Sequence, residues 1–291
     1  MDLSIPFGDL RRSGVLNLGA SLDPTLLRTD LYWQDVLRDG WGEFDAMVNL
    51  IRGRGIKPVM ILNGPKGWTC WETVQQRREF AGWCKEAALR FGDRVFAWQI
   101  ANELNNRGDN AGGDKGMPIP KAADLIKRTY DAVRSVSGRL VVLGGICPIP
   151  DGYSGAGVQY VRDLYDAGCK GHFDAMACHV YSTNKLAPYA GDWVTMLRIR
   201  DVMAEFGDNS NVWLTELGAP TAGPGAVATE AFQADFLRSA LAERPGWLKR
   251  VFWFTACDNP AVNPAVSNQG SWGAFRADGS EKPVAAVIRA A

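Results

Sequence analysis

The feature that most constrains this chain is a unit that repeats along it: a short apolar run, a polar loop, then a stretch with helical periodicity. The runs cover Val15–Ala20, Leu26–Tyr32, 58–63, 95–101, Leu140–Ile146, 173–181, 212–217 and 250–255, eight in all. Most are continuously hydrophobic rather than alternating, as expected of parallel strands covered on both faces. Between them, Phe44, Met47, Val48 and Ile51 fall on one helical face. Leu125, Ile126, Thr129, Val133 and Val136 form a second such stripe, and Phe232, Phe236, Leu237, Ala240 and Leu241 a third. Thr69 and Glu72 have capping-box spacing ahead of a helix over 72–91, and 282–291 fits a short closing helix.

Strands alternating with helices imply right-handed crossovers and a parallel sheet. Eight such units in 291 residues match a closed (β/α)8 TIM barrel of the α/β class, whose usual size is about 250 residues. A doubly wound open sheet is the rival, but no G-x-G-x-x-G turn follows the first run. No linker or low-complexity tract divides the chain, so residues 1–291 are expected to form one catalytic domain.

Charge narrows the function classes. Thirty-two basic residues balance thirty-two acidic ones, which gives no general attraction to nucleic acid or anionic membrane. No stretch reaches the roughly 18 apolar residues of a membrane span. The N-terminal MDLSIPFGDLRRSG lacks the pattern of a secretory signal. The expectation is therefore a cytoplasmic protein, one exported without a cleaved signal, or one whose upstream segment is missing from this sequence; a monomer is expected. Six cysteines, at 70, 84, 147, 169, 178 and 257, form no CxxC pair. Most sit in apolar segments, which favours reduced core thiols over a zinc site or disulfide framework.

Barrel enzymes place their chemistry at the C-terminal ends of strands. There the fourth run ends in Asn102-Glu103 and the seventh in Thr215-Glu216. A carboxylate after a strongly apolar run is costly unless it lines a site. A single such Glu is most simply a strand cap facing water; two, on strands opposed across an eight-stranded barrel, form the pair that glycoside hydrolysis needs. One carboxylic acid protonates the leaving oxygen, and a carboxylate across the sugar attacks the anomeric carbon. The acid of such a pair is expected to have a raised pKa.

With these residues in view, the sequence resembles the clan A glycoside hydrolases, families 39 and 5 most, over nearly its whole length. The resemblance implies Glu103 as acid/base, Glu216 as nucleophile, and Asn102 as partner of the sugar 2-hydroxyl. It implies Arg28, in LLRTDLYW, as the cation beside the nucleophile. It also implies His179 and Tyr181 as site residues, the Tyr hydroxyl touching the nucleophile, and Trp253, in RVFWFTACDN, as the sugar platform. The ending WGAFRADGSEKPVAAV matches the clan's closing turn. Family 5 enzymes usually carry a histidine after the third strand where this chain has Asn63, a position still able to touch sugar.

Sugar stacking needs flat apolar surfaces. Trp33, Trp41, Trp68, Trp71 and Trp272 fall in or near the expected loops, with Trp68 and Trp272 the best placed. Together these point to an endo-acting, retaining hydrolase of a β-linked glycan, without metal or cofactor, with the loop 105–120 walling one end of the cleft. A metal-dependent barrel would need clustered ligands, yet the chain has only His172 and His179. A non-catalytic glycan-binding barrel and a transglycosylase remain as alternatives, since fold alone does not decide turnover.

Overall fold

The computed structural model describes residues 1–64, 71–106, 116–149, 156–225 and 228–291. Eight parallel strands close in sequence order: β1 Asp2–Ser4, β2 Leu26–Tyr32, β3 Lys57–Asn63, β4 Ala97–Ile100, β5 Leu140–Ile146, β6 Ala175–Tyr181, β7 Asn211–Gly218 and β8 Leu248–Phe254. Ten helices accompany them among the described residues: α1 Phe7–Leu10, α2 Val15–Ala20, α3 Trp33–Asp39, α4 Gly42–Arg52, α5 Val74–Phe91, α6 Ile119–Arg134, α7 Gly157–Asp166, α8 Gly191–Glu205, α9 Glu230–Ala242 and α10 Pro283–Ala290. The fold is the expected TIM barrel. No helix among the described residues is long and apolar enough to cross a membrane.

One of the eight expected strands is misplaced. Val15–Ala20 is α2, and the first strand is the three-residue Asp2–Ser4. The buried residues of that segment, Val15, Leu16 and Gly19, follow helical spacing. The true β1 is too short to form an apolar run. It is held by its neighbours: the Asp2 carboxylate accepts the Leu26 N–H at 2.9 Å, and the Ile5 N–H donates to the Arg28 carbonyl. The capping box likewise sits later than expected. Thr73 accepts the Gln76 N–H at 3.1 Å, and the Gln76 side chain accepts the Thr73 N–H at 2.8 Å. Thr69 lies outside the described residues.

The core has two layers set by strand alternation. Leu26, Val59, Ala97, Val142, Ala175, Ala177, Trp213 and Phe252 fill the barrel interior. Their neighbours along each strand pack outward against the helices. Three of the five tryptophans placed near the loops belong to this outer packing. Trp33 meets Phe80 and Trp83, Trp41 stacks on Trp83 at 6.1 Å, and Trp71 meets Phe80 edge-on at 5.0 Å. They wedge α5 against the strands and helices beside it.

The segment from β8 to α10 is pinned by an ion pair under its turn. Lys282, 2% exposed, donates to Asp258 at 2.8–2.9 Å and to the Thr221 hydroxyl at 3.1 Å. Asp258 also accepts the Gly273 N–H at 2.8 Å, one residue beyond Trp272. Removing one partner of a buried pair strands the other. Lys282→Met is expected to lower folding stability by about 3 kcal/mol, measured as a shift of the urea unfolding midpoint. An unchanged midpoint would show that this pair does not hold the segment.

Candidate active site

Alternation along β2 sends Arg28, Asp30 and Tyr32 inward on the face of Leu26, up toward the C-terminal rim. Arg28 is 2% exposed and almost fully committed. It donates to Gln99 Oε1 at 2.7 Å, to the Ser4 hydroxyl at 2.8 Å, to Glu216 Oε1 at 2.8 Å and to Asn102 Oδ1 at 2.6 Å. One guanidinium thus ties β1, β2, β4 and β7 together, with its planar fork aimed at both a carboxylate and an amide.

Simple alternation from the inward Trp213 would turn Glu216 out of the barrel. A bulge prevents this. Cys178 pairs with Leu214 but His179 pairs with Glu216, so Thr215 is an extra residue in β7. The insertion resets the phase and aims Glu216 inward, a known use of bulges beside active sites. The pairing with β8 skips in the same place, between Leu214 and Leu217.

Glu103 reaches the site by another route. Ala101 and Glu103 both have left-handed backbone, at φ 55° and 47°, which for non-glycine residues costs on the order of 1–3 kcal/mol each. Three hydrogen bonds hold them there. The Ala101 N–H donates to the Leu62 carbonyl at 3.0 Å, the Gln99 amide to the Ala101 carbonyl at 2.8 Å, and the Glu103 N–H to the Gly145 carbonyl at 2.9 Å. Asn105 then clamps the loop to β5 through the Cys147 backbone, accepting at 2.9 Å and donating at 2.7 Å.

His179 joins the two carboxylates. Its Nδ1 lies 2.6 Å from Glu103 Oε1 and its Nε2 lies 3.5 Å from Glu216 Oε1. Donor atoms of Glu103, His179 and Glu216 all fall within 4.8 Å of one another. Tyr181, two residues along the same strand face, donates its hydroxyl to Glu216 Oε2. Burial and the two carboxylates push the Tyr181 hydroxyl well above its usual range, so it stays protonated and donates.

The Glu103 carboxyl does not have the raised pKa expected of an acid. Burial pushes it up, but the hydrogen bonds from His179 and from the Asn106 amide at 2.6 Å, aided by Arg28, leave it below the usual glutamate range. Two carboxylates and an imidazole are a donor set a divalent cation can use. The guanidinium on Glu216 and the donors already serving each carboxylate oppose an added cation.

These groups line a cavity of about 360 Å³, within the range of small-ligand sites. Arg28, Asn102, Glu103, Tyr181, Glu216 and Trp272 all face it. Trp272 meets the Tyr181 ring edge-on at 4.7 Å. His179, fully buried, stands behind the carboxylates rather than on the wall. Asn63 is one step back too: it donates to Asp30 Oδ1 at 3.0 Å and does not line the cavity. Trp68 lies outside the described residues, as does much of the loop 105–120.

Trp253 must be corrected. It is fully buried in the outer layer, while Phe254 lines the cavity. Phe252 points into the barrel, so alternation turns Trp253 out and Phe254 back in. The expected platform is displaced by one residue, and Phe254 with Trp272, 6.2 Å apart, supplies the aromatic wall.

Several residues in or behind the cavity wall were not anticipated. Asp30 accepts the Phe7 N–H at 3.3 Å besides the Asn63 amide, and burial raises its carboxyl against the pull of Arg28. The signal for it was the R-x-D-x-Y alternation in β2. Asn106, which supports Glu103, has no signal beyond its nearness in sequence. Gly145, in the LVVLGGI run, is where His179 packs: a Cβ there would fall 1.9 Å from His179 Nε2. Gly145→Ala must move that ring. A displacement near 1 Å at a reacting centre can cost about 100-fold, so kcat/KM is expected to drop by about that factor, and the thermal midpoint to fall too, since overpacking a buried site costs about 1–3 kcal/mol. Wild-type kinetics in this variant would mean the ring's position is immaterial.

Residues 102–279, more than half of the chain, match the family described as glycosyl hydrolase catalytic core. No curated protein matches the chain by sequence. Among solved structures, a family 39 glycoside hydrolase from the gut symbiont Bacteroides cellulosilyticus WH2 superposes with a TM-score of 0.75 at 20% identity, over 99% of this chain and 62% of that one. This chain thus spans less than two thirds of that protein. A family GH5_18 structure from Streptomyces cattleya, in complex with GlcNAc, gives 0.71 at 15% identity over 95% of this chain and 73% of that one. The endo-β-1,4-mannanase of Thermotoga petrophila gives 0.68 at 15% over 100% and 75%. At such identities the superpositions speak for the fold, and the family match carries the assignment: this chain belongs to the glycosyl hydrolase catalytic core family.

Proposed function

We propose that this protein hydrolyses a β-linked oligo- or polysaccharide with retention of anomeric configuration, Glu216 acting as nucleophile and Glu103 as acid/base. The observation that carries the reading is the approach of the two carboxylates, whose facing oxygens lie within 4.8 Å. Retaining enzymes hold their carboxyl groups about 5–5.5 Å apart, and inverting ones about 6.5–9.5 Å. The neighbour described as an endo-β-1,4-mannanase supports a β-glycan substrate and internal cleavage.

In the first step the Glu216 carboxylate attacks the anomeric carbon, the glycosidic C–O bond breaks, and the leaving oxygen takes a proton from Glu103. In the second, Glu103 accepts a proton from water, which attacks the same carbon and frees Glu216. Arg28 and Tyr181 orient Glu216 through hydrogen bonds to its Oε1 and Oε2, and Asn102, fixed by Arg28, is placed for the 2-hydroxyl. The His179 hydrogen bond at 2.6 Å helps draw the Glu103 carboxyl below the usual glutamate range, so the pH at which Glu103 gives up the proton of the first step depends on that contact. Activity is therefore expected to fall on the alkaline side as Glu103 loses its proton, and His179→Asn, which weakens the contact that lowers it, to move that limb to higher pH. An alkaline limb that His179→Asn leaves in place would contradict this role of His179.

The test is incubation with a panel of β-glucans, β-mannans and xylans, scored for new reducing ends and followed by proton NMR. A β-anomer as first product, with fragments of intermediate length, is the expected outcome. A first-formed α-anomer would overturn retention, and release of single sugars only would overturn internal cleavage.

A further inference from the structure

One acidic group close behind the site has no part in the mechanism above. Asp192, in the first turn of α8, accepts the Tyr181 backbone N–H at 2.9 Å. That N–H belongs to the last residue of β6, whose hydroxyl is bonded to Glu216. We propose that Asp192 is a positioning residue: its carboxylate grips the end of β6, and its protonation loosens the hold of Tyr181 on Glu216. The inference rests on Glu216 being the nucleophile.

The geometry supports a group that acts through one contact. No ion pair to Asp192 exists among the described residues, although Lys185 lies in the loop between β6 and α8. Its proton affinity is set by burial and by the Tyr181 N–H, with no contribution from a charged side chain. The charged groups facing Tyr181 are Glu216 from β7, Glu103 from the loop after β4 and Arg28 from β2, with His179 on its own strand. All of these meet the phenol end, whereas Asp192 holds the backbone end. Burial pushes the Asp192 carboxyl up to about 7, so the grip changes within the physiological range. An ionised carboxylate makes the stronger, charge-assisted hydrogen bond to an N–H. The hold therefore tightens as pH rises through that value.

The sign for stability is the opposite. A carboxyl that keeps its proton more tightly when folded loses folding stability as pH rises from its unfolded value toward its folded one. Asp192→Asn keeps an accepting oxygen and cannot ionise. Its thermal midpoint should exceed that of the wild type at pH 8 and match it at pH 4.

Three readouts test the proposal on the whole chain. Trp272 reports the Tyr181 ring, so its fluorescence, identified by loss in Trp272→Phe, should show a transition near pH 7 in the wild type and none in Asp192→Asn. With 2,4-dinitrophenyl β-glucoside, β-mannoside and β-xyloside as probes, kcat of Asp192→Asn should be about three- to tenfold lower at pH 8, the loss of one charge-assisted contact, with KM little changed. In a Tyr181→Phe background the same substitution should have no further effect on kcat. A fluorescence transition that survives Asp192→Asn, or a full kcat effect without the Tyr181 hydroxyl, overturns the proposal. A wild type that cleaves no probe and no glycan while its fluorescence transition is intact and lost in Asp192→Asn would instead overturn the hydrolase reading alone.

Discussion

Glu216→Ala is expected to lose turnover on any β-glycoside by on the order of 10⁴-fold or more, the scale seen when a nucleophile is deleted, and sodium azide should restore it. The cavity left by the side chain admits a small anion on the face from which Glu216 attacks. The rescued product is then a glycosyl azide of inverted configuration, because one displacement replaces two. The substitution also leaves Arg28, 2% exposed, without its carboxylate, which costs about 3–5 kcal/mol of folding stability. Glu216→Gln, which keeps an acceptor for Arg28, separates the two effects: it should be equally inactive but more stable, and azide should not rescue it. Azide rescue giving a product of retained configuration would exclude Glu216 as nucleophile.

Glu103→Gln should produce a different pattern. Losing the acid removes about 10²–10⁴-fold from the rate on natural glycans, the usual worth of a positioned proton donor. The loss should nearly vanish for 2,4-dinitrophenyl glycosides in the first step, since that leaving group departs without a proton. Turnover of these substrates should then stall at the covalent intermediate, which appears as a burst followed by slow steady-state release. The burst amplitude should equal the enzyme concentration. An equal loss on activated and natural substrates would assign proton transfer elsewhere.

The barrel was legible because parallel strands buried on both faces write themselves as apolar runs. Leu26–Tyr32 and Leu140–Ile146 match their strands end to end, and the rest shift by a few residues at most. β1 escaped because it is three residues long and draws its hold from Asp2 and from backbone pairing with β2 and β8. The apolar segment read in its place packs as a helix.

Within the site, residues at strand ends were legible as far as alternation alone governs direction. Arg28, His179 and Tyr181 follow it. Trp253 failed by one residue, since the phase of β8 is set by Phe252 lying inside the barrel, which the sequence does not announce. Glu216 faces inward only because Thr215 is extra in β7; a strict period of two would have turned it outward. Glu103 depends on left-handed backbone that no pattern encodes. Its low proton affinity could not be read either, because it arises from His179, 76 residues away in sequence. The tryptophans show the weakest link. A Trp in a βα segment fits stacking on sugar or wedging of helices equally well, and Trp33, Trp41 and Trp71 wedge.

The most direct measurement uses 2-deoxy-2-fluoro glycosides carrying a 2,4-dinitrophenyl leaving group, in the gluco, manno and xylo series. The fluorine slows both steps, and the activated leaving group spares the first, so the covalent adduct accumulates. Intact-mass and peptide analysis is expected to find one fluorosugar per chain, attached at Glu216 and released on adding an acceptor sugar. A label on Glu103 or elsewhere, or an active enzyme whose substrate is turned over with inversion and no adduct, would contradict the account.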